Sequence, residues 1–123
     1  MDTNIVIAHF AKDPAVDAKL VAETEIYIPS IVLGELYFGA EKSGLGLANR
    51  VRIEKFAANN IVVACDAETA RRYETVRNRL RLKGRPIPEN DMWIAAAALQ
   101  HDLVLVTRDA HFREVRFLKL ERW

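Results

Sequence analysis

A single cysteine, Cys65, leaves no partner for an internal disulfide and fits a reducing compartment. It follows the apolar run Ile61-Val62-Val63-Ala64, and no histidine lies near it in sequence, so it reads as a small buried thiol at a strand end. No run approaches the roughly 20 uninterrupted apolar residues that span a bilayer, and the amino terminus lacks the basic, apolar and small-residue order of a secretion signal. A cytoplasmic protein with no membrane partner is expected. Repeats, linkers and low-complexity tracts are also missing. With 123 residues, 50% hydrophobic and 28% charged, the chain can build one core but not two, so residues 1–123 should form a single domain. Paired cysteines and spaced histidines are absent: His9, His101 and His111 follow no zinc-ligand spacing.

Net charge is small as well, a formal +1, but its distribution is uneven. Between Arg71 and Arg85 stand seven basic residues, opposed only by Glu74, a local +6 on one helix and its exit. Such a stretch suits a polyanion, although the same pattern describes a solvated helix face. Arg72, Arg79, Lys83, Arg108 and His111 are the candidates for meeting nucleic acid.

Helical periods alternate with short β-branched runs, which predicts an α/β domain with a mostly parallel sheet. Residues 4 to 11 and 15 to 23 read as helices, the second capped by Asp13 with Pro14 at its first position. Ile26-Tyr27-Ile28 is a short strand ended by Pro29. Ser30 is expected to cap a helix to about Lys42, and another runs from about Leu47 to Ala58. A strand at Ile61 to Ala64 leads to Asp66, the cap of a helix to about Lys83 whose inner stripe is Thr69, Tyr73, Val76 and Leu80; Gly84 ends it. Asn90 should cap the next helix, to about His101. Leu103 to Val106, a turn of helix from Ala110 and a strand near Phe117-Leu118 complete the order. The helix after Asn90 is apolar nearly all round and should be buried on more than one side.

Four carboxylates stand beside apolar runs: Asp2 ahead of Ile5-Val6-Ile7, Glu35 within Ile31-Val32-Leu33-Gly34-Glu35-Leu36, Asp91 before Met92-Trp93-Ile94, and Asp109 after Leu103-Val104-Leu105-Val106. Taken one at a time, each has a structural explanation as a cap, a first-turn acid or a partner of a nearby lysine. Taken together they call for a cation, because ionised carboxylates next to a core lose several kcal/mol unless they are partnered. Asp109 lies just past a strand end, where α/β sheets bind their ligands. Oxygen donors alone point to Mg²⁺ or Mn²⁺.

At these residues the chain resembles the PIN domain, and more narrowly the VapC-type toxins of bacterial toxin–antitoxin pairs. The matching segments are Asp2-Thr3-Asn4, Pro29-Ser30-Ile31-Val32-Leu33-Gly34-Glu35-Leu36, Asn90-Asp91-Met92-Trp93-Ile94-Ala95-Ala96 and Thr107-Arg108-Asp109-Ala110-His111-Phe112. The resemblance implies a three-layer sandwich, helices flanking a central sheet, and a metal-dependent endoribonuclease with Asp2, Glu35, Asp91 and Asp109 as its acidic quartet. Thr3, Asn4, Ser30 and Thr107 occupy supporting polar positions. It further implies one or two Mg²⁺ or Mn²⁺ ions, an RNA substrate needed for translation, a homodimer, a small antitoxin partner, and operator DNA reached only through that partner. Family members usually carry apolar residues ahead of the first aspartate that form the central strand. Only Met1 precedes Asp2 here, so that strand is expected to be cut short, with the α-amino group close to Asp2. The competing expectation is a PIN-fold module that does not cleave and works through a partner complex.

Overall fold

A computed structural model describes all residues from Met1 to Trp123. In chain order its elements are helices α1 (Thr3–Phe10) and α2 (Pro14–Ala22), strand β1 (Tyr27–Pro29), helices α3 (Ser30–Glu41) and α4 (Gly46–Ala58), strand β2 (Ile61–Val63), helices α5 (Ala67–Lys83) and α6 (Glu89–Gln100), strand β3 (Val104–Val106), a 3-10 turn (Ala110–Glu114) and strand β4 (Lys119–Glu121). No helix is long and apolar enough to cross a membrane.

All strand pairing is parallel, as expected, and it falls into two two-stranded halves. β1 pairs with β2, Tyr27 opposite Ile61, and β3 pairs with β4, Val104 opposite Lys119. Between the two halves stands only the beginning of the chain. The Met1 α-amino group donates to Tyr27 O at 3.0 Å, and Asp2 N donates to Val106 O at 3.0 Å. Those two bonds tie β1 to β3 where a strand would lie. Behind them is an apolar cavity of about 250 Å³, walled by Met1, Tyr27, Val63, Ala98, Leu105 and Trp123. Burial there lowers the Met1 amine from 8.0 to about 6, because an ammonium loses its hydration in such surroundings.

Local chemistry sets several helix ends. Asp13 accepts from Ala15 N and Val16 N at the start of α2, with Pro14 first in the helix. Asp66 and Thr69 form a reciprocal capping box on α5, and Gly84 closes that helix in the left-handed region at φ 65°. Two expected caps are displaced by one or two residues. Ser30 is the first residue of α3 and Asn90 the second of α6; the cap positions belong to Pro29 and Pro88, whose extended backbone turns the chain without a side-chain bond.

The core gathers Ile5, Val6, Ile28, Val32, Leu80, Ile94, Leu105 and Phe112. α3 packs on β1, α6 on β3, and α5 against α6. As its composition foretold, α6 is buried through Met92, Ile94 and Ala95 to Ala98, its alanines letting neighbouring elements approach closely. On α5, Thr69, Val76 and Leu80 are buried, while Tyr73 is half-buried and stacks on Trp93 with centroids 4.0 Å apart. Cys65 is exposed, contrary to expectation, because β2 ends at Val63 and the chain leaves the sheet before reaching it. The last strand begins at Lys119 and not near Phe117, whose left-handed backbone (φ 68°) cannot join a ladder.

Candidate functional site

The four carboxylates come from four places in the chain and line one open cavity of about 580 Å³, together with Thr3, Asn4, Asn90 and His111. Asp2 reaches it from the stub between the half-sheets, Glu35 from the second turn of α3, Asp91 from the first turn of α6, and Asp109 from just past β3. Ser30 does not line it.

Asp2 is the most enclosed of the four, only 3% exposed. Its Oδ1 accepts from Thr3 N at 2.7 Å, so it also caps α1, as a local reading of the residue allowed. Its Oδ2 accepts from Thr107 Oγ1 at 2.6 Å and from Asn4 Nδ2 at 3.1 Å. Asn4 Nδ2 also donates to Asp109 Oδ2 at 2.9 Å, and Asp109 N donates to Thr107 Oγ1 at 3.0 Å. Asn4 and Thr107 thus lock two acids that are 107 positions apart in sequence. Asn4 is itself oriented, since Arg108 N donates to its Oδ1 at 3.3 Å.

Across the cavity, His111 Nε2 meets Asp91 Oδ2 at 2.6 Å. Asp91, Asp109 and His111 each offer a ligand atom, all within 4.8 Å of one another. Sequence reasoning placed His111 toward RNA phosphate and left it out of the acid group. Its position two residues after Asp109, at the start of the 3-10 turn, is the signal that links them. Glu35 differs from the rest: its Oε1 is buried and has no hydrogen-bond partner, and Thr3 Oγ1 is in the same condition.

Electrostatics follow from this crowding. Burial pushes the carboxyl groups of Asp2, Glu35 and Asp91 above their ordinary values. Neighbouring negative charge adds to it, from Asp109 at Asp2 and from Asp91, Asp2 and Asp109 at Glu35. Hydrogen bonds oppose the rise at Asp2, through Thr107 and Thr3, and at Asp91, through His111, and the Thr3 hydroxyl beside Glu35 opposes it there. A bound cation would relieve all three groups at once. The donor set, carboxylate oxygens with one imidazole, fits a divalent ion, and an unpartnered buried carboxylate oxygen is what such an ion satisfies.

Of the expected RNA-facing residues, His111 lines the acidic cavity, and Arg72 and Arg79 line a separate recess. Arg108 is committed inside the fold: its guanidinium donates to Trp123 O at 2.7 Å and to Asp13 Oδ2 at 2.8 Å. Arg72 pairs with Glu68, and Lys83 with Glu114. Arg79 lies beside the ring of Phe117.

A small α/β domain with an acidic, metal-competent centre at its strand ends defines the class. Residues 1–118 match the family model described as PIN domain. The tRNA(fMet)-specific endonuclease VapC of Shigella flexneri is 33% identical over 126 aligned residues, covering 100% of this chain and 96% of that protein. Ribonuclease VapC2 of Haemophilus influenzae is 32% identical with the same coverage. The DNA-bound VapBC structure from Salmonella typhimurium aligns with a TM-score of 0.93 at 30% identity, over 99% of this chain and 95% of that one. The chain belongs to the PIN-domain family and, within it, to the VapC-type ribonucleases of toxin–antitoxin systems.

Proposed function

We propose that this protein is a toxin that hydrolyses RNA at a centre made of Asp2, Glu35, Asp91 and Asp109, using Mg²⁺ or Mn²⁺. The observation that carries the reading is the convergence of four acids on one cavity with Glu35 Oε1 buried and unpartnered. When bound, one or two such ions lower the pKa of a water and neutralise charge on the phosphodiester. The chain's own residues supply position. Thr107 and Asn4 hold Asp2 and Asp109 at the edge of the cavity, and His111 holds Asp91. The positive N-terminal end of α6 favours the ionised form of Asp91, which burial opposes.

Structured RNA such as transfer RNA is the substrate class suggested by the Shigella relative, a tRNA(fMet)-specific endonuclease. The family resemblance suggests a cut that leaves a 5′-phosphate and a 3′-hydroxyl, and direct attack by water, with no 2′-hydroxyl chemistry, would form no 2′,3′-cyclic phosphate. A small antitoxin would silence the enzyme, and a homodimer would be the working form. Operator DNA would be reached only through the antitoxin, a reading supported by the Salmonella VapBC relative, which is bound to DNA. The alternative is a PIN-fold module that binds a partner without cleaving. A single experiment separates them: purified protein incubated with total RNA in Mg²⁺, in EDTA, and as Asp91→Asn, with the product ends mapped. Cleavage confined to the Mg²⁺ arm supports the hydrolase. Products ending in 2′,3′-cyclic phosphate, or cleavage that survives EDTA, overturn it.

A further inference from the structure

Phe117 presents a conformational anomaly. It is a bulky aromatic residue in the left-handed backbone region, φ 68°, and 69% of it is exposed. Aromatic side chains avoid that region, and folds keep such residues where a function compensates. Two cations frame its ring: the guanidinium carbon of Arg116 is 4.6 Å from the centroid and that of Arg79 is 5.7 Å. Along α5 the neighbouring cations are answered locally, Arg71 and Arg72 by Glu68 and Arg77 by Glu89. Arg79 and Arg116 have no carboxylate. The one acid beside them, Glu114, is paired with Lys83 at 3.1 Å. Next to the ring is a recess of about 240 Å³ whose wall includes Arg72, Arg79, Leu99, Val115 and Arg116.

We infer that Phe117, with Arg79 and Arg116, is a stacking platform for one unpaired base of the RNA. This rests on the nuclease reading above and extends it to residues outside the acidic cavity. Unpaired bases are held by stacking on aromatic rings and guanidinium planes while arginines meet the flanking phosphates, and both elements are combined here. An acidic peptide would use the arginines but would give an exposed ring nothing to stack on. The location fits as well. The 3-10 turn of Ala110–Glu114, followed by Val115 and Arg116, leads from Asp109 to the platform. The platform would hold a base outside the acidic cavity, and so contribute to choosing which RNA is bound.

The test uses the full chain in EDTA, so that RNA is bound but not cut, and a short single-stranded oligoribonucleotide as probe. Phe117→Ala and Phe117→Leu should each weaken binding by about tenfold, the loss expected of one base–aromatic contact. Phe117→Trp should bind like the wild type and show quenching of its added fluorescence as RNA is titrated. Phe117→Gly, which suits the positive φ, should melt above the wild type yet bind as weakly as the alanine variant. In Mg²⁺ the alanine variant should raise KM with kcat unchanged within about twofold. Equal binding by the phenylalanine, alanine and tryptophan proteins overturns the platform, as does failure of the wild type to bind the oligonucleotide. Loss of binding to a protein partner in place of RNA overturns it too. If RNA binding depends on Phe117 but no cleavage occurs in Mg²⁺, the platform stands and the nuclease reading is the one that fails.

Discussion

Glu35→Gln isolates the cost of assembling the acidic centre. In the metal-free protein the Glu35 carboxylate is crowded by Asp91, Asp2 and Asp109, with Oε1 buried and unpartnered. A buried polar atom left without a partner costs about 1–3 kcal/mol. The amide retains part of that cost but removes the repulsion, and its NH₂ can donate to a neighbouring carboxylate, for a net gain of about 1 kcal/mol. In a domain of this size that corresponds to a rise of about 3–5 °C in Tm. Mg²⁺ should reverse the order. At 100 times its Kd an ion adds about 2.7 kcal/mol to the wild type, and the variant, short of one ligand, loses most of that gain. Thermal melts of both proteins in EDTA and across a Mg²⁺ titration should therefore cross. A Glu35→Gln protein that melts below the wild type in EDTA refutes the reasoning, and so does a wild type indifferent to millimolar Mg²⁺. Asp91→Asn is a weaker probe of the same effect because it also disrupts the 2.6 Å contact with His111.

Asp2→Asn, Asp91→Asn and Asp109→Asn should each reduce single-turnover RNA cleavage by more than about 100-fold, whereas His111→Ala, which unfixes Asp91 and removes the one imidazole donor, should cost about 10–100-fold. Asp2, Glu35 and Asp91 titrate above their ordinary values in the folded protein, so between the unfolded and folded values the native state holds protons that the unfolded chain has released. Their contribution is complete below the ordinary carboxylate range and is lost as pH rises through the folded values. Metal-free Tm should accordingly fall as pH rises out of the acid range, and saturating Mg²⁺ should flatten that slope in a pH series of melts. Engineered extension ahead of Met1 by a few apolar, β-branched residues should fill the cavity between β1 and β3. Each side chain buried there contributes about 1.5–3 kcal/mol against about 1–2 kcal/mol for ordering its backbone, so urea unfolding should shift to a higher midpoint. An unchanged midpoint would show that the slot does not accept a strand.

Features governed by adjacent residues were legible in the chain. Asp66 and Gly84 bound α5 because caps and left-handed stops act within a few positions of the helix end. Alanines at 95 to 98 marked α6 as buried. The acids were legible as a group through their motifs and their placement beside apolar runs. Ser30 and Asn90 misled because either can cap a helix, and only the backbone shows that a preceding proline has taken the position. Cys65 misled because an apolar run does not say where its strand leaves the sheet. Arg108 was chosen for its charge, but its partners Asp13 and Trp123 come from opposite ends of the chain.

The amino-acid sequence on its own determined the element order, the α/β class and the identity of the four acids, since each depends on short-range periodicity, capping or motif. Tertiary structure alone decided which atoms meet. It placed Asn4 between Asp2 and Asp109, set His111 on Asp91, left Glu35 Oε1 without a partner, and brought Arg79 of α5 beside the exposed ring of Phe117. Most of these contacts join residues far apart in the chain, and their geometry is fixed only when the core closes and removes the other arrangements open to each side chain.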